Sequence, residues 1–334
     1  MDSRRGNFLI SLDFELYWGV RDKREIEEYR ENILGVWEAI PKILDLLEKY
    51  DVHATWATVG LLFAKDKNDA LQFSPVNKPS YLDKKLSPYS YLEESSNLEG
   101  AIHFAPDLIH RIAACEGQEI ATHTYSHYYC LENGQSPEEF EEDIASAVKI
   151  AKHHNFTIKS LVFPRNQSNE DYLELLPKLG ITSYRGTEES WIYKANNNQE
   201  SKKRSRRAAR LLDSYFNLSG HNTYKISHEE ASKLPINISA SRFLRPVNRK
   251  LWFLESLRLK RIKKSMKHAA LNGEIFHLWF HPHNFGVNLD KNIDFLESVL
   301  LYYSELKSSY GMRSLNMQEL FETGKDYLHE RQAS

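Results

Sequence analysis

The chain has little cysteine: two residues, Cys115 and Cys130, in 334. Two thiols cannot build a disulfide framework or a four-cysteine zinc site. Surplus charge is also lacking, since 44 Lys and Arg face 46 Asp and Glu for a formal charge of -2. That balance excludes a globally basic nucleic-acid binder. No apolar run is long enough for a secretion signal or a membrane span, and the sequence therefore reads as cytoplasmic. Apolar residues nevertheless make up 41% of the chain, with 18 Tyr and 16 Phe. This excludes a disordered polymer and is enough for a sizeable core. The length suits one large α/β barrel or two ordinary domains. No Pro/Ser-rich linker divides the chain, so a single barrel-like domain over 1–334 is the economical reading.

The near-zero charge hides an asymmetry. Residues 202–210 carry six bases and no acid, and residues 242–267 carry ten bases and one acid, Glu255. Such runs are either solvated helix faces or surfaces that attract phosphate, on a membrane or on a substrate.

Period-2 patterning predicts a first strand over 7–16, with Phe8, Ile10, Leu12, Phe14 and Leu16 on one face and Ser11, Asp13 and Glu15 on the other. Ile33, Val36, Ile40, Leu44 and Leu47 recur at helical spacing, with Pro41 expected to kink or restart that helix. Further strands are predicted over 53–59, 118–122, 158–164, 181–185 and 274–280, and residues 64–104 as a long loop. Ser136-Pro137 followed by Glu139 signals a capped helix start. Residues 187–249 lose periodicity and read as a partly helical insertion. Alternating strands and helices imply a parallel sheet closed into a distorted (β/α) barrel of about seven strands. In such barrels the chemistry lies at the C-terminal strand ends.

The polar residues that could carry chemistry fall there. His123 and His127, four apart, could share one side of a helical turn and grip a metal. Two carboxylates on so apolar a strand, Asp13 and Glu15, are costly to bury without partners, and a metal supplies one. Two histidines plus one carboxylate leave positions open for water, and the other carboxylate can act as general base. Strand alternation places His277, Trp279 and His281 on one face, where His281 could protonate a leaving group.

In this combination and order the motifs resemble the NodB-homology polysaccharide deacetylases, carbohydrate esterase family 4. Ser11-Leu12-Asp13-Phe14-Glu15 is similar to that family's Thr-Phe-Asp-Asp-Gly motif, with its acids spaced by one residue. His123-Thr124-Tyr125-Ser126-His127 matches its His-Ser/Thr-x-x-His motif in full. The segment His53 to Gly60 resembles an inner strand of the family, and His281-Pro282 resembles its last motif. The resemblance implies a NodB-like barrel in which Glu15, His123 and His127 hold a divalent metal, Zn2+ foremost. It further implies Asp13 as the base, Arg165 as the residue orienting it and His281 as the acid, although the two carboxylates could exchange roles. Trp191 and His283 stand as substrate-binding residues, and Phe280 is either a second stacking residue or part of the core, the core being the favoured reading. The family's partner for the catalytic histidine has no clean match, with Glu188 or Glu189 the nearest substitutes.

The expected function is metal-dependent removal of an N-acetyl or N-formyl group from an amino sugar. A cytoplasmic setting points to biosynthesis of a surface polysaccharide or lipopolysaccharide on a nucleotide- or lipid-linked sugar. Residues 242–267 would then meet the inner face of the membrane. Hydrolysis of small cyclic or linear amides, or carbohydrate binding without catalysis, are the alternatives.

Overall fold

The computed structural model describes residues 5–332 except 97, 189, 191 and 194–203. Nine strands form its sheet: β1 (Asn7–Phe14), β2 (Ala54–Thr58), β3 (Gln118–Thr122), β4 (Ser160–Val162), β5 (Ser183–Arg185), β6 (Ile236–Asn237), β7 (Arg242–Phe243), β8 (Ile275–Phe280) and β9 (Arg313–Ser314). The spatial order is β6-β5-β4-β3-β2-β1-β8-β7, with β9 paired to the start of β1. Every strand pair is parallel. This is the expected parallel barrel; three two-residue strands raise the count to nine.

β1 is buried along its whole length. A parallel strand covered on both faces must be satisfied on both. Its outward side chains Phe8, Ile10, Leu12 and Phe14 join the main core, together with Ile40, Ile43, Leu44 and Leu47 of the helix Val36–Lys49. That helix runs continuously through Pro41, and the break falls instead at Gly35, which separates it from the helix Ile26–Leu34. The helix Pro137–His153 starts as the sequence predicts, with a complete Ser136/Glu139 capping box. Residues 64–104 are not one loop, because they contain the short helices Lys67–Phe73, Tyr89–Glu94 and Gly100–His103.

The inward side chains of β1 divide the barrel interior. At its floor Leu9 packs with Ile236, Ile238 and Ile275 against Met317, Leu320 and Phe321 of the last helix, Met317–Gln332. Above that apolar plug come Ser11 and Asp13.

The stretch read as an insertion supplies β6 and β7, one on each edge of the curled sheet. Between them residues 238–241 bond to both edges. Ile238 and Ala240 donate to Tyr184 and Gly186 (2.8 and 2.9 Å), and Ser241 donates to His277 (2.8 Å). One continuous segment therefore closes the barrel where no strand ladder does. No helix among the described residues is long and apolar enough to cross a membrane.

Candidate metal and hydrolase site

Five elements deliver side chains to one end of the barrel. Asp13 lies near the end of β1, and the chain then turns sharply, with Leu16 at φ 44°. That turn swings Glu15 over the barrel mouth. It needs Gly19, because a Cβ there would collide with the Glu15 carboxyl.

His123 and His127 follow β3. They do not share a helical turn: the segment is a bend in which Thr124 and His127 both take left-handed φ values of 65° and 60°. Buried Asp143, on the helix Pro137–His153, fixes the bend by accepting from the backbone of Tyr125 (2.7 Å) and Ser126 (3.2 Å) and from the Ser126 hydroxyl. The backbone of Gly60 and Leu61 bonds to the carbonyls of Thr124 and Tyr125.

This bend brings two imidazoles onto one carboxylate. The Nε2 atoms of His127 and His123 lie 3.0 and 3.4 Å from Glu15 Oε2, and all three side chains are buried. Each ring's other nitrogen is engaged: His123 Nδ1 meets the Val162 carbonyl at 2.8 Å, and His127 Nδ1 meets the Tyr129 hydroxyl at 3.0 Å. Those contacts hold the proton on Nδ1 and aim the Nε2 lone pairs at the shared point. One ligand atom from each residue falls within 4.8 Å of the others. Burial lowers the His127 pKa to about 4, which keeps the ring neutral as ligation requires. For Glu15 burial acts upward, but His281, His123 and His127 outweigh it and hold the carboxyl well below its ordinary range. Two imidazoles and one carboxylate suit a divalent ion with positions left open.

Asp13 sits beside this triad with a different partner. Arg185, at the end of β5 and fully buried, grips it through two hydrogen bonds of 2.7 and 2.8 Å. Arg185 also bonds Ser11 (2.8 Å) and Asn166 (2.9 Å), and its guanidinium lies 4.4 Å from the Trp279 ring centre. Burial alone would raise the Asp13 pKa, yet Arg185, His123 and His281 lower it on balance. The carboxylate expected to be steered by Arg165 is therefore steered by Arg185. Arg165 leaves β4 through a tight turn at φ 57°, which carries its side chain to the rim. There it pairs with Asp22 through two contacts of 2.5 Å and lies 4.1 Å from the Tyr129 ring centre. Tyr129 in turn donates to Asp22 at 3.4 Å, so Asp22, Tyr129 and His127 form one chain of contacts.

His281 and His283 close the site from the far side. His281 Nε2 is 3.7 Å from Asp13 Oδ2 and 3.6 Å from Glu15 Oε1. The Asn284 side-chain amide lies 3.4 Å from His281 Nδ1, which leaves Nε2 facing the carboxylates. No carboxylate partner for His281 comes from Glu188, and Glu189 lies outside the described residues. His283 is buried, with Nδ1 3.7 Å from Glu15 Oε1 and no hydrogen bond of its own. Burial followed by the charge of His281 lowers its pKa to about 3. It flanks Glu15 at the wall of the cleft. His277 is a satisfied interior residue, 2.8 Å from Ser11 Oγ.

A cleft of about 440 Å³ opens onto Asp13, Glu15, His127, His281 and His283. Its aromatic wall is Phe243 and Trp279, whose ring centres are 4.6 Å apart. Trp191 lies outside the described residues. Phe280 points the other way, fully buried against Phe285 at 4.9 Å, and cannot meet a ligand. Sequence reasoning missed Arg185, Asp22, Asp143 and Gly19. For Arg185 the signal was present, because its alternation with Ser183 places both inside the barrel.

The fold and this constellation define a parallel α/β barrel with a candidate metal site at one end. The polysaccharide deacetylase family model matches residues 35–184. This stretch is similar to that family and includes His123 and His127, while Asp13, Glu15, Arg185 and His281 lie outside it. A candidate polysaccharide deacetylase from Mycobacterium smegmatis shares the fold, with a TM-score of 0.59 at 11% identity over 98% of this chain and 93% of that one. A GH57-type branching enzyme from Pyrococcus horikoshii is similar at TM-score 0.50 and 12% identity, over 95% of this chain and 70% of that one. The peptidoglycan deacetylase PdaC from Bacillus subtilis aligns at TM-score 0.42 and 12% identity over 100% and 98% of the two chains, which carries no further argument. No curated protein matches this sequence.

Proposed function

We propose that this protein is a metal-dependent hydrolase that removes an N-acyl group, acetyl or formyl, from an amino sugar. The observation that carries the reading is the adjacency of two differently partnered carboxylates, Glu15 among histidines and Asp13 on Arg185. A divalent cation, Zn2+ foremost, held by Glu15, His123 and His127 would supply Lewis acidity toward water and the acyl oxygen. Asp13, kept ionised and oriented by Arg185, accepts the proton of the attacking water. His281, as the imidazolium, gives its Nε2 proton to the amide nitrogen as the C–N bond breaks and returns to the neutral ring, and the amine and the carboxylic acid are released. Trp279 and Phe243 offer ring faces to the sugar.

The finer reading is a biosynthetic enzyme of surface polysaccharide or lipopolysaccharide that acts at the inner face of the membrane. Its support is the turn Arg249–Leu254, where Trp252 and Phe253 are 69% and 60% exposed, beside exposed Lys250, Lys260, Lys264 and Lys267. Arg242, Arg258 and Arg261 of the same basic stretch are buried in internal pairs and take no part. The test is elemental analysis of the purified protein together with activity on a panel of N-acetyl and N-formyl amino sugars. Stoichiometric metal with release of acetate or formate supports the proposal; a metal-free protein inert on the whole panel after reconstitution refutes it.

A further inference from the structure

The cleft is chemically two-sided. One side is the Asp13, Glu15 and histidine site. The other is built by the helix Arg204–Asp213 and the segment after β7, and it presents Arg210 and Arg245. Buried arginines elsewhere in this chain are paired with acids: Arg185 with Asp13, Arg165 with Asp22, Arg242 and Arg261 with Asp213, Arg258 with Glu255. Arg210 and Arg245 are half-buried and differ from all of these. Among the described residues neither has a carboxylate within ion-pair distance. Arg210 donates its Nε to the Ile192 carbonyl (2.8 Å), and Arg245 lies 5.9 Å from the Phe243 ring centre with no side-chain hydrogen bond to a described residue. The acid that shares their wall, Glu188, is buried with an unpartnered Oε1, so it does not neutralise them by contact.

Arg245 lies two residues past Phe243, and hence at most about 7 Å further along the backbone. Phe243 itself touches His281 at 5.8 Å between ring centres. Arg245 thus borders the proposed acid through Phe243, and Arg210 lines the same cleft.

Resting on the amino-sugar reading above, we propose that Arg210 and Arg245 form an anion subsite, so that the substrate is an acidic amino sugar carrying a phosphoryl or carboxylate group next to the N-acylated ring. Guanidinium forks match both oxyanions bidentately, and in a desolvated cleft such charge-assisted bonds discriminate strongly against a neutral analogue.

The test measures binding by calorimetry, with the full-length purified protein, to N-acetylglucosamine 1-phosphate, N-acetylglucosaminuronate and uncharged N-acetylglucosamine. The expected result is a preference for one or both charged probes of at least about tenfold. The phosphate and the uronate arms tell the two sources of the anion apart. Arg245→Gln and Arg210→Gln should each cut that preference roughly tenfold while leaving the affinity for the neutral sugar unchanged. Arg245→Lys, which keeps the charge, should retain part of it, and rising salt should weaken only the charged probes. The same titration after metal removal by chelation should keep the preference, which separates these arginines from the metal as the anion's holder. Equal affinities for all three probes, or a preference that survives both glutamine substitutions in folded protein, would overturn the subsite. Selective binding without hydrolysis of any N-acyl sugar would leave the subsite standing and remove the deacetylase reading.

Discussion

Two adjacent strands of the barrel are each followed or ended by an arginine that grips one aspartate, and the two pairs sit in different places. Arg185 ends β5 pointing inward, and its four hydrogen bonds to Asp13, Ser11 and Asn166 tie three elements across the interior. Arg165 follows β4 in a left-handed turn, and its pair with Asp22 sits at the rim, linked to His127 only through Tyr129. Equivalent chemistry therefore has different reach: strand alternation carries a side chain into the interior, while the turn carries it out. On the proposed reading the inner pair orients the base, and the outer pair orients a group that orients a metal ligand.

The largest expected effect breaks the inner pair. Arg185→Met leaves Asp13 buried without its counter-charge and should cost about 3–5 kcal/mol of stability. Asp13→Asn should keep bound metal and lower kcat by about 10²–10⁴-fold. Glu15→Gln, by contrast, should lose metal by elemental analysis. Swapped phenotypes between the two acids would reverse their roles.

The outer pair should matter less. Arg165→Met frees Asp22 and loosens the Tyr129–His127 contact. We expect a fall in metal affinity of about tenfold, the usual scale for an outer-shell partner, with kcat at saturating metal nearly unchanged. A loss of kcat equal to that of Arg185→Met would show that the two pairs are not distinct in function.

A third carboxyl sharpens the contrast because it has no bidentate arginine. Burial raises Glu188 from 4.5 to about 7, even though a backbone hydrogen bond and the charges of Arg242, Arg185 and Arg210 act in the other direction. Between pH 4.5 and 7 the folded chain then holds a proton that the unfolded chain has released. Its contribution to stability is complete below 4.5 and is lost as the pH rises through about 7. Tm measured across that range should fall in the parent and fall less in Glu188→Gln; parallel curves would place the titration elsewhere.

The weakest effect belongs to cations with no buried acid. Replacing Lys250, Lys260, Lys264 and Lys267 with Gln should release the protein from anionic vesicles, at about 1 kcal/mol for each cation, without changing turnover of a soluble sugar. Absence of co-sedimentation by the parent at low salt would remove the membrane contact.

Part of this site is legible in the residues themselves. Period 2 in β1 puts Asp13 and Glu15 on one side, and the spacing of His123 and His127 marks them as partners, because both signals are local and survive without knowledge of the fold. Alternation likewise sets His277, Trp279 and His281 apart from Leu278 and Phe280. What the tertiary structure decided is which distant residue meets which. Arg185 rather than Arg165 reaches Asp13 because β4 ends in a left-handed turn while β5 continues inward, a difference in backbone dihedrals that the side-chain pattern does not encode. The histidines converge through a bend pinned by Asp143, twenty residues from His123 in sequence, rather than through a helical turn. The barrel closes through residues 236–244, whose short strands are too brief for periodicity to register and form only because two sheet edges lie on either side of them.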